Sequence, residues 1–161
     1  MERVRMMGKK RLVPLIFLVA LLSCGGNSSA LKDGYYTAED AEFDNHGWKE
    51  YVTLCISSGQ ISMVEYNAFN QSGLIKSWDM NYMRLMNAAS GSYPNAYTRY
   101  YVGQLLTRQG TEGIDALSGA TESYRSFLRL ADAALENARR GDTGTHIVSF
   151  SDGRHGTAPA H

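Results

Sequence analysis

The sequence predicts a mixed α+β domain in which a small, largely antiparallel sheet packs against two or three helices. Three observations carry that reading. Residues 51–68 alternate in polarity around Ser58-Gly59, as a β-hairpin does. Tyr124, Phe127, Leu128, Ala131, Ala134, Leu135 and Ala138 recur at helical spacing, which marks an amphipathic helix. Two shorter helical stretches lie between them, parted by Gly91 and Pro94. With 161 residues and 43% hydrophobic content, the chain has material for one globular domain.

The N-terminal segment stands apart from that domain. Arg3, Arg5, Lys9, Lys10 and Arg11 precede an apolar run, Leu12 to Leu22, broken only by Pro14. A basic start, a short apolar stretch and a small residue before a break form a secretory signal. The run is too short for a membrane span, which needs about 20 residues. Leu21-Leu22-Ser23-Cys24 resembles the bacterial lipoprotein processing box, with Leu22 an unusual member. The resemblance implies a signal peptide of residues 1–23 and lipidation of Cys24. Gly25 replaces the aspartate often linked to inner-membrane retention, which mildly favours an outer-membrane location where two membranes exist. Secretion without lipid is the alternative.

The full chain balances 16 basic against 16 acidic residues; the leader holds five and one of them, leaving 11 against 15. A mildly acidic domain argues against nucleic acid and against direct adhesion to anionic lipid. Membrane attachment would rest on the acyl chains, of which at least two give durable anchoring. With Cys24 lipidated, Cys55 is alone, so neither a disulfide framework nor a thiolate metal site is expected. Its place in an alternating strand suggests a small buried hydrophobe.

Residues 24–32 read as a lipidated tether, with Gly25 to Ala30 small and polar. Strand character begins after Asp33-Gly34 and runs from Tyr35 to Phe43. Tyr51 to Ser57 and Ile61 to Ala68 form the hairpin. Strict alternation in its second strand puts Ile61, Met63 and Glu65 on one face and Ser62, Val64 and Tyr66 on the other. Trp78 to Ala88 has helical spacing at Tyr82, Met83 and Met86, ended by Gly91. Pro94 opens the next helix, with Ser92 as a candidate cap, and Gln109-Gly110 closes it after about Arg108. The last helix ends on Arg139, Arg140 and Gly141, with Arg125, Arg129, Asp132 and Glu136 on its polar side. Residues 142–161 form a polar C-terminal tail, in which Ile147 to Phe150 have strand character. His46, His146, His155 and His161 lack metal-site spacing, so no metal is expected.

The chemistry concentrates in Asp115-Ala116-Leu117-Ser118-Gly119-Ala120-Thr121. Small residues there let backbone approach a bound group. Thr121 opens the strongest helix, whose first amides face outward and suit an anion. On these grounds alone the segment is either a phosphate seat containing a hydroxyl or a helix start that Thr121 merely caps.

The pattern Asp-x-x-Ser-Gly-Ala-Thr resembles the flavinylation motif of FMN-binding domains. These occur in the C subunit of the sodium-pumping NADH:quinone reductase, in the related Rnf complex and in lipoproteins of extracellular electron transfer. Five fixed positions recur by chance in about one chain in several thousand. Similarity to the small lipoprotein branch extends through Asp33-Gly34-x-Tyr36, Phe43-Asp44, Gly47-Trp48-Lys49, Tyr66-Asn67-Ala68, Asn70, Gly73, Lys76-Ser77, Asp79, Tyr82, Met86, Gly91 and Pro94. It covers roughly residues 33–141, the expected FMN-binding domain. The resemblance implies an electron carrier, not an enzyme, with FMN joined through its phosphate to the Thr121 oxygen. A separate Mg-dependent flavin transferase would use FAD as donor and recognise Asp115, Ser118, Gly119 and Ala120. The site would lie in the bacterial cell envelope, on the periplasmic or outer face, and exchange electrons with a membrane reductase or another redox partner.

The flavin ring needs an apolar or aromatic slot. Leu117, Tyr66, Tyr82, Met86 and Tyr97 are candidates, each with core packing as the alternative. Lys76 is either a stabiliser of charge on reduced flavin or a solvated surface lysine. Asn67 and Asn70 either bond the ring edge or form turns. Two rival functions stay open: a lipoprotein that holds flavin non-covalently, and a structural envelope lipoprotein.

Overall fold

The computed structural model describes residues 30–149. The leader, Cys24 and most of the C-terminal tail lie outside the described residues. Strands β1 (Gly34–Asp40), β2 (Lys49–Ser57), β3 (Gln60–Phe69) and β4 (His146–Val148) form one sheet in the order β3-β2-β1-β4. The first three pair antiparallel; β4 lies parallel to β1. Helices α1 (Met80–Ser90), α2 (Pro94–Arg108) and α3 (Thr121–Arg140) complete an α+β fold, with a short 3₁₀ turn at Lys76–Trp78 before α1.

The β2–β3 hairpin turns where the sequence places it. Ser58 (φ 54°) and Gly59 (φ 72°) both have positive φ, as a type I′ turn requires. Asp33 braces the turn, accepting from the Ser58 amide at 3.0 Å and the Gly59 amide at 2.9 Å. These bonds hold its carboxyl below its ordinary pKa. Strict alternation fails in β3. The register shifts between Cys55 and Ile56, which face Met63 and Ile61, so Ser62 is an extra residue. This bulge resets the parity: Ile61, Val64 and Tyr66 all turn into the core while Met63 is exposed.

One sheet face is packed. Tyr36, Ala38, Val52, Leu54 and Ile56 meet Tyr97, Tyr101 and Leu105 of α2 and Phe127, Leu130, Ala131, Ala134 and Ala138 of α3. The alanine-rich stripe of α3 brings backbone close to the sheet. Tyr35, Met63 and Ile147 are exposed on strands. Cys55 is half-buried, because its parity opposes that of Leu54 and Ile56.

Other departures are local. Ser92 does not cap α2: Tyr93 holds that position without a side-chain bond, and Pro94 follows in the first turn. Arg129 leaves the polar face to meet buried Asp40 at 2.6 Å. Even so, burial outweighs Arg129 and raises the Asp40 pKa. The beginning of the expected tail belongs to the sheet, since Val148 is buried and β4 covers an edge of β1.

Candidate functional site

The segment before α3 is braced from both sides. Gln104 clasps Asp115: its Nε2 donates to the Asp115 carbonyl at 3.2 Å, and its Oε1 accepts from the Asp115 amide at 2.9 Å. The Tyr124 hydroxyl donates to the Ile114 carbonyl at 2.8 Å. Tyr101 accepts from the Leu117 amide at 3.2 Å and donates to the Ala120 carbonyl at 3.1 Å. It thereby staples the turn that the Ala120 amide closes onto the Leu117 carbonyl at 3.1 Å. The Asp115 carboxylate lies 3.6 Å from Arg108, an exposed pair of little energetic weight.

Gly119 sits in that turn at φ 78°, where a Cβ would lie 2.2 Å from the Ser90 carbonyl oxygen and 3.3 Å from Ser92 Cβ. Only glycine fits without a shift. The contact locks the turn against the end of α1. Ser118 and Thr121 are exposed, whereas Ala120 is buried.

Thr121 is the first residue of α3, and the N-cap is Ala120, which makes no side-chain cap bond. The alternative in which Thr121 caps the helix therefore does not describe this helix start. The first intrahelical bond runs from the Tyr124 amide to the Ala120 carbonyl at 2.9 Å. The amides of Thr121, Glu122 and Ser123 precede it, at the positive end of a 20-residue helix. Beside Gly119, the Ser92 hydroxyl is buried and has no hydrogen-bond partner among the described residues. Such an orphan costs about 1–3 kcal/mol.

Lys76 is not a surface lysine. It is buried, with Nζ 3.4 Å from Glu50 Oε1 and 5.3 Å and 5.9 Å from the Tyr82 and Trp48 ring centroids. Burial favours its neutral form, but the Glu50 carboxylate prevails and holds Lys76 above the ordinary lysine pKa. Burial pushes Glu50 upward against the pull of Lys76. Tyr66 Oη lies 2.9 Å from Glu50 Oε2 and 2.8 Å from the Ser123 carbonyl, joining this ion pair to the first turn of α3. Burial, then Glu50, pushes the Tyr66 hydroxyl far up. Burial likewise raises Tyr97 to about 12, with Lys76 opposing. Glu50 is the member that motif reading missed. Its signal was strand parity, since it shares the inward face of Val52, Leu54 and Ile56.

The candidate ring contacts separate into two groups. Tyr66 and Tyr97 are core residues, and Tyr66 packs 4.9 Å from Phe127. Asn67 is buried, with its amide nitrogen bonded to Ser77 at 2.8 Å and its oxygen accepting from the Ala68 and Ser77 amides. Asn70 forms its own turn, accepting from the Ser72 and Leu74 amides. These four are structural here. Leu117, Tyr82 and Met86 are half-buried; Met86 lies one helical turn before Ser90, whose hydroxyl donates to the Met86 carbonyl at 2.9 Å. Between α1 and the start of α2 is an open cleft of about 380 Å³ lined by Met80, Met83, Arg84, Asn87, Tyr93 and Asn95. Most of its lining was invisible to motif reading.

Among the described residues no cluster of His, Cys, Asp and Glu could hold a metal. No helix among them is long and apolar enough to cross a membrane.

Comparison with known proteins gives the chain a context. It is 35% identical over 136 residues to the 15 kDa lipoprotein of Treponema pallidum (strain Nichols), covering 84% of this chain and 95% of that protein. The crystal structure of the CPE2226 protein from Clostridium perfringens superposes with a TM-score of 0.72 at 36% identity, over 74% of this chain and 98% of that one. No protein-family model matches the chain.

Proposed function

From the premise that this chain belongs to the family of the Treponema pallidum 15 kDa lipoprotein, we propose a lipid-anchored electron carrier of the bacterial cell envelope. Cys24 carries the acyl chains, and Thr121 carries FMN as a phosphoester. The observation that carries the flavin reading is the start of α3: an exposed threonine behind an alanine cap that offers the first helix amides no side-chain acceptor. A phosphate on Thr121 supplies one. The orphan Ser92 hydroxyl beside Gly119 is a further donor suited to an anionic or polyhydroxyl group. The residues present therefore fit the group.

When bound, FMN supplies reversible electron transfer. The protein's part is to hold and orient it. The cleft at α1 offers the thioethers of Met80 and Met83 and the Tyr93 ring, with Arg84, Asn87 and Asn95 as polar members. That mixture suits a planar heteroaromatic ring. It replaces Tyr66 and Tyr97, which are spent in the core. Lys76 acts through packing and charge balance behind the site, because its ammonium faces Glu50.

Attachment would be the work of a Mg-dependent flavin transferase. The Thr121 oxygen displaces AMP from FAD, and the hydroxyl proton passes to a base of the transferase, since a threonine hydroxyl is a weak nucleophile without one. Asp115, Ser118, Gly119 and Ala120 form the recognition loop. A covalent bond suits a compartment where lost flavin is not replaced; micromolar binding alone is worth about 8 kcal/mol.

Co-expression with a flavin transferase should raise the intact mass by one FMN less one water, and Thr121→Ala should abolish the gain. A colour that leaves on denaturation would mean non-covalent binding instead. A colourless chain under both treatments would remove flavin from the account.

A further inference from the structure

One hydroxyl behind the start of α3 faces more acceptors than it has protons. Tyr66 Oη lies 2.9 Å from Glu50 Oε2 and 2.8 Å from the Ser123 carbonyl oxygen. A carbonyl only accepts, and so does an ionised carboxylate. The Tyr66 hydroxyl carries a single proton, so both contacts are full hydrogen bonds only when Glu50 brings a proton of its own. The chain then runs from the Glu50 carboxyl to Tyr66, and from Tyr66 to Ser123. Ionised Glu50 is the stronger acceptor, and it takes the Tyr66 proton from Ser123.

The surroundings keep the ring in place and leave the proton free. Tyr66 packs 4.9 Å from Phe127, 6.3 Å from Tyr97 and 6.4 Å from Tyr101. Only its O–H bond can turn. The Lys76 ammonium, 3.4 Å from Glu50 Oε1, stands farther off than a close ion pair of about 2.7–2.9 Å. It also rests on the Tyr82 and Trp48 rings, so it keeps partners when Glu50 is neutral. Asp44 and Tyr82 act on Glu50 only through this lysine, whose charge they favour. Asp40 of β1, paired with Arg129 of α3, opposes ionisation of Glu50, and the Ser126 hydroxyl favours it. Tyr97 and Tyr101 of α2 stay un-ionised near neutral pH, because burial raises both. Burial is the largest influence on Glu50 and pushes it toward the protonated form. That is the form which the two short contacts of Tyr66 require.

We infer that Glu50 is a proton-operated positioning residue: on taking a proton it commits Tyr66 to the Ser123 carbonyl and fastens the first turn of α3. On losing that proton, the carboxylate draws the Tyr66 hydroxyl to itself and slackens the turn. The hold is therefore present below the Glu50 titration and weakened above it. The turn concerned is the one that Thr121 opens. A carboxyl on β2 thus governs how firmly the attachment residue is held. Its meaning for a cofactor rests on the flavin reading of Thr121; the proton switch does not.

Carbon-13 NMR of the full, flavin-free chain in detergent micelles tests the switch. The Glu50 carboxyl carbon and the Ser123 carbonyl carbon are followed on one sample from about pH 4 to about pH 9, a range that spans ordinary and buried carboxyls. The two curves should share one midpoint, above that of the exposed Glu122 beside Ser123. Glu50→Gln, whose amide donates at every pH, should fix the Ser123 carbon at its low-pH position. Tyr66→Phe should abolish the Ser123 response while Glu50 still titrates. A Ser123 carbon that stays still, follows Glu122 instead, or responds alike in Tyr66→Phe would overturn the switch. So would a Glu50 that does not titrate in this range. Should Tyr66→Phe fail to fold, the two wild-type curves decide alone. Flavin attachment is read by intact mass on co-expressed protein, so the two ideas fail by different signals.

Discussion

Gly119 and Thr121 are two residues apart, yet substitution should part them sharply. At Gly119 an alanine would combine a positive φ with a Cβ 2.2 Å from a backbone oxygen. Neither can be relieved by rotating a flexible side chain. We expect Gly119→Ala to cost about 2–4 kcal/mol in urea unfolding. Thr121→Ala should abolish FMN attachment while shifting the stability of the unmodified protein by less than about 0.5 kcal/mol. The hydroxyl is exposed and Ala120 holds the cap. A true capping threonine would cost about 1 kcal/mol. The motif was legible in sequence because its members are contiguous. Tyr101 and Gln104, which shape its loop, were not, because a side chain bonding to backbone 11 to 19 residues away leaves no local pattern.

At the level of elements, periodicity located the hairpin and α3, both governed by one-sided burial. It misassigned the faces of β3, since one extra residue at Ser62 reverses parity and no residue type announces a bulge. It also left Glu50 unnoticed, as a carboxylate among inward-facing aliphatic residues reads as a break until its partner on the 3₁₀ turn is seen. The Lys76–Glu50 pair has a measurable signature. Lys76→Met leaves a buried carboxylate uncompensated and should cost about 3–5 kcal/mol near neutral pH. Burial already raises Glu50 above its ordinary value of 4.5, and loss of Lys76 raises it further. A carboxyl with a raised folded-state pKa holds its proton more tightly in the fold than in the unfolded chain. The fold is thus favoured as pH falls through that pKa and disfavoured above it. The deficit of Lys76→Met against wild type should shrink from pH 8 to pH 5. Unfolding curves at the two values would show it, and an equal deficit would mean that the pair contributes packing alone.

Across the whole molecule, the sheet is completed from far along the chain. β4 follows α3, yet it lies parallel to β1 near the start of the domain. A chain ending after Thr145 should expose the edge of β1 and lose the buried Val148, costing about 2 kcal/mol or more. It should still accept FMN, because the Thr121 loop is braced by α1, α2 and α3. Thermal unfolding and intact mass read these two outcomes independently. The fold class was legible because alternation, helical period and glycine stops agreed. The fastening of the domain's start to the end of α3 was not, because the bonds from Lys32 to the Ala138 and Arg140 carbonyls join residues more than 100 positions apart.

The bare start of α3 bears on how such a protein is matured. A helix opened by alanine, two residues after a glycine that packs on a buried serine whose hydroxyl has no partner among the described residues, is an unfinished joint. An esterified phosphate would finish it, adding about 0.3–1 kcal/mol from the dipole alone. On the proposed attachment, the cofactor would serve as a keystone as well as a cargo. The first amides of α3 should then exchange hydrogen more slowly in the modified chain than in the unmodified one.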